Sequence, residues 1–517
     1  MNITSTALRT CTARIIIGSA ILFASYARSE LMQDTVQDSR PNVIIVYTDD
    51  QAQEDIGVYQ KVNRGLTPNI DSLATRGITF TQFYSAAPIC TPSRVALLTG
   101  KRPESAGLAG NAYGEIGLET NLTMASFFKE KGYETALVGK WHLGEQKRFH
   151  PLKKGFDRFF GHIHGVVDNC SNWFRWPGAK EAWWEFDLYE DYIRLDEFDT
   201  FENPRCDLQT NQYEQHLAFK LMDKAKQYIE EAKKPLFMLY AINQPHYPIQ
   251  PLPELIPDQM NSSEELADAF YDSFNVTIDT MVGRLINDLR DNGKLSNSII
   301  VYQADHGHSF ESRNWEGINS DNEVNLVPFR SWADYSYRGG KFSTFEGGIK
   351  VPAIISFPEK YFGQFDDYPR GEVRDLMAIN IDWFPTLASM ITNRLPTNEY
   401  KIQGIDLTPN ILENTSPERD TYFWHHFGKG FAYRKGIYKL FYYPNDPSAK
   451  DSLKDTYLEG FYLIDLFANP MERLDGKYDL KSVHKELFEQ LKKSALQEYE
   501  SACKLHLNNT CRHFFSN

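Results

Sequence analysis

A chain of 517 residues with 42% hydrophobic and 14% aromatic content can bury an extensive core and has room for more than one structural unit. Its formal net charge of −14 excludes a nucleic-acid partner recognised through bulk charge, so an anionic ligand would need a local basic pocket. No low-complexity tract or short repeat interrupts the sequence, which excludes a solenoid.

The chain opens with Arg9 and Arg14 ahead of the apolar run IIIGSAILFA, followed by the small residues around Ser25–Ala27. This is the pattern of a secretory signal peptide over residues 1–27, with a run too short for stable membrane insertion. The expected location is therefore export: periplasmic or secreted, lysosomal in an animal. Five of the six cysteines lie beyond that segment: Cys90, Cys170, Cys206, Cys503 and Cys511. An odd count in an oxidising compartment suggests two disulfides and one special thiol. Proximity pairs Cys503 with Cys511 and Cys170 with Cys206, one of the three pairings open to four cysteines, and leaves Cys90 over.

Five apolar runs read as buried parallel strands, at 42–47, 133–139, 235–242, 298–304 and 351–357. Helical segments lie between them. Thr67 and Pro68 open one that Gly77 closes, and Thr91 and Pro92 open another that ends at Gly100. Thr123 opens a third, ended by Gly132, and residues 264–292 carry an apolar stripe of Phe274, Ile278, Met281, Leu285 and Leu289. Such alternation predicts an α/β fold with a mostly parallel sheet covered by helices on both faces. Near residue 410 the pattern changes to antiparallel strands (GFAYRKGIYKLFYYP, GFYLIDLFANP), a loop at 444–452 and a closing helix over 481–502. The expected division is a catalytic unit over 28–410 and a smaller α+β subdomain over 411–517.

In parallel sheets ligands bind beyond the carboxyl ends of the strands. Those ends read TDDQ, KWH, NQPH and DHGH. Asp49, Asp50, Asp305 and His306 make a hard-ligand set suited to Ca²⁺ or Mg²⁺. Cys90 stands where a helix begins, with Arg94 one turn further in, at a position that favours anions. A soft thiolate beside a hard cation is a poor match, which argues that Cys90 does not act as a thiol.

The stretch CTPSRVALLTGKRP resembles the type I sulfatase signature. PNVIIVYTDDQ, GYETALVGKWHLG, GFDRFFG, QPHYP, DHG, GGKFSTFEGGIKVP and FYLIDLFANPMERLD follow the order of that family over nearly the whole chain. The resemblance implies an alkaline-phosphatase-like fold and a sulfuric ester hydrolase. It implies that a formylglycine-generating enzyme oxidises Cys90 to formylglycine, whose hydrate is the nucleophile. By the same resemblance, Asp49, Asp50, Asp305, His306 and residue 90 hold one divalent metal per chain, Ca²⁺ with Mg²⁺ as the alternative. Arg94 holds the formylglycine hydroxyl, and Lys140 and Lys341 clamp the sulfate oxygens. His142 assists the second hydroxyl and His246 protonates the leaving alkoxide. The family often has asparagine after the third aspartate. His306 departs from that, and as a softer ligand it loosens the preference for calcium.

The insertion HIHGVVDNCSNWFRWPGAKEAWWEFDLYEDY places tryptophans beside cations, including Trp173 and Arg175, a combination suited to a charged pyranose ring. The expected substrate is a sulfated polysaccharide or oligosaccharide. Two other readings remain open at this point: a formylglycine-dependent phosphonate monoester or phosphodiester hydrolase, and a non-catalytic binder of sulfated glycans.

Overall fold

All seven residues of β1 (Asn42–Thr48) are buried, and alternate side chains enter opposite apolar layers. Val43, Ile45 and Tyr47 face one layer, and Ile44 and Val46 the other. A strand buried on both faces reads as one apolar run, which is why the sequence pattern finds it. The computed structural model describes residues 40–505 except 168, 170–187, 196–215, most of 248–262, 310–312, 316–324, 328–336, 360–367, 416–418, 427–429, 444–459 and 475–476. The signal segment, the 444–452 loop, Trp173, Arg175, Cys170, Cys206 and Cys511 lie outside the described residues.

The main sheet also contains β2 (Gly77–Phe80), β3 (Glu134–Gly139), β4 (Arg158–Gly161), β5 (Tyr189–Glu190) and β6 (Ile193–Arg194). Further along the chain come β7 (Leu236–Ala241), β8 (Ser298–Ala304), β9 (Ala353–Ser356) and β10 (Glu372–Arg374). Its order is β10-β2-β9-β8-β1-β7-β3-β4-β5-β6. The central run β8-β1-β7-β3-β4 is parallel.

The larger helices are α1 (Pro68–Thr75), α2 (Cys90–Thr99), α3 (Met124–Glu130), α4 (Leu217–Glu231), α5 (Ser263–Asp291) and α6 (Trp383–Thr392). Helices α1, α4 and α5 bury Leu73, Leu221 and Met281 on one face. Helices α2, α3 and α6 bury Leu97, Phe127 and Trp383 on the other.

Two expectations need correction. Strand β9 is antiparallel to both neighbours, β2 and β8. Chain leaving the carboxyl end of β8 enters β9 at that same end, with Ala353 opposite Gln303, so no crossover intervenes. Helix α2 begins at Cys90, two residues before Pro92, with Ile89 as its N-cap. Thr91 does not cap it, because its hydroxyl donates to the His142 carbonyl at 2.7 Å. The end at Gly100 is as expected, in the left-handed conformation (φ 63°).

A second, antiparallel sheet joins β11 (Thr421–His426), β12 (Gly430–Lys435), β13 (Tyr438–Tyr443) and β14 (Gly460–Asp465) in that order. Helix α7 (Lys485–Leu505) covers it, burying Leu491, Ala495 and Tyr499 against Phe431, Leu440 and Leu463. Trp424 of β11 reaches back towards the main unit, its indole N–H donating to the Ser85 carbonyl at 2.8 Å.

Candidate active site

Strands β1 and β8 are paired in register from end to end, so the residues after them emerge side by side. The Asp305 amide donates to the Thr48 carbonyl at 2.9 Å, and the Asp50 amide to Asp305 Oδ1 at 3.2 Å. On the other flank of β1, β7 ends at Ala241 and leads to His246, and the Asp49 amide donates to the Gln244 carbonyl at 3.2 Å. Next to β7, β3 ends at Gly139, ahead of Lys140 and His142. Gly139 has φ 110°, and a Cβ there would lie 2.0 Å from the Ala241 carbonyl oxygen, so only glycine lets Lys140 turn in. Four neighbouring strand ends thus deliver their polar residues to one place.

Cys90 enters from α2. Its Sγ lies 3.2 Å from His306 Nε2 and 3.6 Å from Asp49 Oδ1, and the thiol is free and buried. One turn on, Arg94 Nε and Nη2 reach Asp305 Oδ2 at 3.1 and 3.0 Å, and Nη1 donates to the Lys140 carbonyl at 3.1 Å. Lys140 Nζ pairs with Asp49 Oδ2. Lys341 Nζ sits 3.1 Å from Asp50 Oδ1 and 3.0 Å from His246 Nε2. All ten of these residues are buried, Lys341 the least so at 7% exposed, so water screens their charges little.

The electrostatics follow from that burial. Burial pushes the Asp49 carboxyl up, but Lys140, His246 and Arg94 override it and hold it well below the ordinary range. Asp305 is raised, by burial and then by the Asp49 charge. Burial and the neighbouring Lys341 pull His246 down to about 3, and burial with Lys140 and Arg94 holds His142 well below its usual value. Both imidazoles are therefore neutral at neutral pH. His306 is the exception: burial opposes its charge, yet Asp305, Cys90 and Asp50 push it up to about 10.

That proton marks where the acidic cluster draws positive charge. His306 Nδ1 donates to the Gly307 carbonyl at 2.9 Å, which turns Nε2 towards Asp50 Oδ1 (3.3 Å) and Asp305 Oδ1 (3.5 Å). Ligand atoms from Asp49, Cys90, Asp305 and His306 all lie within 4.8 Å of one another, as do those of Asp49, Asp50, Cys90 and His246. Each set brings two carboxylates and an imidazole to that spacing, and the two overlap at Asp49 and Cys90, which fits a divalent cation.

Ten of the twelve residues singled out from sequence come together here, and Trp173 and Arg175 lie outside the described residues. A supporting layer was not foreseen. Ser93 Oγ donates to the Asp305 carbonyl at 2.5 Å, while Tyr47 (2.8 Å) and Asn380 Nδ2 (3.0 Å) hold the same hydroxyl. The only sequence signal for it was the serine inside CTPSR. Backbone strain was equally invisible: Asp50, His142 and Phe342, beside Lys341, have φ of 62°, 54° and 72°. The His142 ring is closely packed against Gly165. A Cβ on that glycine would lie 2.5 Å from His142 Cε1.

Comparison with known proteins identifies the family. The family model described as Sulfatase matches residues 41–393. N-acetylgalactosamine-6-sulfatase of Sus scrofa is 30% identical over 399 residues, covering 74% of this chain and 68% of its own length. Arylsulfatase A of Homo sapiens is 29% identical over 434 residues, covering 80% and 77%. Among solved structures, Ps i-CgsB in complex with k-i-k-neocarrahexaose superposes with a TM-score of 0.68 at 23% identity, covering 90% of this chain and 93% of that one. BT4656 in complex with D-glucosamine-2-N,6-O-disulfate gives 0.60 at 19%, covering 92% and 100%. The chain belongs to the sulfatase family and is a sulfuric ester hydrolase. Membership implies a formylglycine and a divalent metal, and the buried Asp, Cys and His cluster fits both.

Proposed function

We propose that this sulfatase removes sulfate from a sulfated carbohydrate, an oligosaccharide or polysaccharide. One observation carries the reading. With His306 neutral, as a metal ligand must be, Asp49, Asp50 and Asp305 are balanced, charge for charge, by Arg94, Lys140 and Lys341 in a buried site. A divalent ion leaves that site with a net positive charge, which a tetrahedral sulfate group matches.

In this proposal Asp49, Asp50, Asp305, His306 and residue 90 would hold one Ca²⁺, with Mg²⁺ as the alternative, and the ion would supply charge against the sulfate oxygens. The hydrated aldehyde at position 90 would supply a nucleophilic hydroxyl that displaces the alkoxide from sulfur, and a second hydroxyl whose deprotonation releases sulfate with return of the C=O. Arg94 fixes Asp305 and orients the diol. Lys140 and Lys341 exchange their carboxylate contacts for sulfate oxygens as charge builds up on them.

His142 accepts the proton of the second hydroxyl. Its Nδ1 is buried with no hydrogen-bond partner among the described residues. His246 delivers a proton to the leaving alkoxide. Its Nδ1 is committed to the Tyr247 carbonyl at 2.8 Å, so Nε2 does this work with the Lys341 ammonium as the adjacent source.

The carbohydrate assignment is supported by the first relatives, named N-acetylgalactosamine-6-sulfatase, and by the Trp- and cation-rich insertion around Trp173 and Arg175. Export through residues 1–27, maturation by a formylglycine-generating enzyme, disulfides at Cys170–Cys206 and Cys503–Cys511, and a subdomain boundary near 410 belong to the same proposal. No helix among the described residues is long and apolar enough to cross a membrane.

The test is sulfate release from a panel of sulfated oligosaccharides, beside nitrophenyl sulfate and a nitrophenyl phosphonate ester. Sulfated sugars should turn over, and Trp173→Ala and Arg175→Ala should lose that activity while keeping activity on nitrophenyl sulfate. Rapid turnover of the aryl sulfate with no sugar desulfated would overturn the substrate class. Preference for the phosphonate ester would overturn the reaction.

A further inference from the structure

Three motifs are only partly used by the site: GGKFSTFEGGIK, GIYKLFYYP and LFANPMERLD. Of their charged residues, Glu346, Lys439 and Glu472 converge elsewhere. Lys439, fully buried on β13, donates from Nζ to Glu346 Oε1 and Glu472 Oε1, both at 2.8 Å. Glu472 Oε2 accepts the backbone N–H of Glu346 at 2.5 Å. Glu346 Oε2 accepts from Tyr84 at 2.7 Å, and Arg434 on β12 reaches the same tyrosine hydroxyl at 2.5 Å.

Burying one ammonium between two carboxylates costs desolvation that apolar side chains of like volume would avoid, so stability alone is a weak reason for it. Its location supplies a better one. Glu346 belongs to the loop 338–350 that presents Lys341, and Tyr84 lies six residues before Cys90. Loop 338–350 is stitched to both halves of the site. The Lys341 amide donates to the His308 carbonyl at 2.7 Å, Phe342 to Pro88 at 2.8 Å, and Ser85 to Ile349 at 2.7 Å. From the other side, Arg338 Nη1 donates to the Glu472 carbonyl at 3.1 Å, and His426 Nδ1 to the Phe342 carbonyl at 3.0 Å. Phe342 itself is held at φ 72°, a conformation a bulky residue adopts only under constraint.

We propose that the buried Glu346–Lys439–Glu472 cluster is a positioning device through which the C-terminal sheet sets the placement of Lys341 relative to Cys90. Its link to catalysis rests on Lys341 acting as a sulfate clamp, as proposed above. The cluster touches no substrate and acts through the loop backbone.

The experiment uses the full-length protein with Lys439→Met, which keeps most of the side-chain length and removes the charge. Amide hydrogen exchange is measured for peptides covering 338–350 and for strands β1 and β8, with kcat and KM for nitrophenyl sulfate at matched metal content. Exchange in 338–350 should quicken by about tenfold or more while β1 and β8 keep their protection. The kcat should fall by about tenfold or more, because a misplacement near 1 Å is enough for that loss. Lys439→Arg should recover part of both.

Leu440→Ala is the control. It weakens the same strand on its α7-facing side without touching the cluster. Equal loosening of 338–350 in Leu440→Ala and Lys439→Met, or unchanged protection in Lys439→Met, would overturn the proposal. Should Lys439→Met not fold, Glu472→Gln carries the test, with the same direction expected and the same overturning result. A wild-type protein without sulfatase activity, but with the expected change in exchange, would sink the clamp reading and leave the positioning intact.

Discussion

Replacing Arg94 with methionine keeps most of the side-chain volume and removes a guanidinium that touches Asp305 twice, the Lys140 carbonyl once, and approaches Asp49 Oδ2 at 3.6 Å. The Nε contact to Asp305 is a charge-assisted hydrogen bond, roughly 1.5–3 kcal/mol, the Nη2 contact adds an ion pair without hydrogen-bond geometry, and the carbonyl contact is worth about 1 kcal/mol. Losing the desolvation cost of the guanidinium offsets part of that sum. What remains is the penalty for leaving buried carboxylates without their partner, about 3–5 kcal/mol. Reversible urea unfolding in metal-free buffer should show a loss of that size. Arg94→Lys keeps the charge but not the planar fork, and should lose about 1–2 kcal/mol. Saturating Ca²⁺ should narrow the gap between Arg94→Met and wild type, because the ion brings positive charge to the same carboxylates. A metal-free stability for Arg94→Met within about 1 kcal/mol of wild type would refute this account of the charge balance.

Cys90→Ala should retain the fold and abolish turnover, whereas Cys90→Ser should stop after at most one sulfate ester is cleaved, visible by mass spectrometry. Aldehyde labelling of wild type should map to residue 90, and full activity in Cys90→Ala would end the mechanism. Elemental analysis should find one divalent ion per chain, retained in His306→Asn because an amide oxygen can take the imidazole's place. Complete metal loss in that variant would contradict the ligand set. Glu472 is raised to about 7, by burial and by Glu346 against the pull of Lys439. Its folded value lies above that of an unfolded glutamate. The stability it contributes is therefore full below about pH 4.5 and lost as pH rises through about 7, up to about 3 kcal/mol. The wild-type Tm should fall over that window relative to Glu472→Gln, and parallel Tm curves for the two proteins would contradict it.

What could be read from sequence and what could not divide along a physical line. Asp49, Asp50, Lys140, His246 and Asp305 each follow a strand buried on both faces, and such strands announce themselves as apolar runs. Once those runs are taken as parallel, the polar residues just beyond them must share one edge of the sheet. Strand direction left no such trace: β9 is as apolar as its neighbours, and an antiparallel strand buried on both faces has the same composition as a parallel one. The same holds for side chains that act through others. Asn380 supports Ser93 from 287 positions away, and neither carries a charge or a motif that links them. Lys341 stands between these cases. Its motif was legible, but it sits in a loop and not at the end of a strand, so the parallel-sheet argument that places the aspartates does not place it. The hydrogen bonds that hold this lysine's loop reach the segment before Cys90, the segment after Asp305 and the C-terminal region at His426 and Glu472, segments far apart in the chain. On the proposal above, a sulfate clamp held that way would depend on residues such as Lys439 that no local reading would connect to the chemistry. Substitutions in the C-terminal sheet should therefore be judged first by whether they reach loop 338–350, and only then by their distance from Cys90.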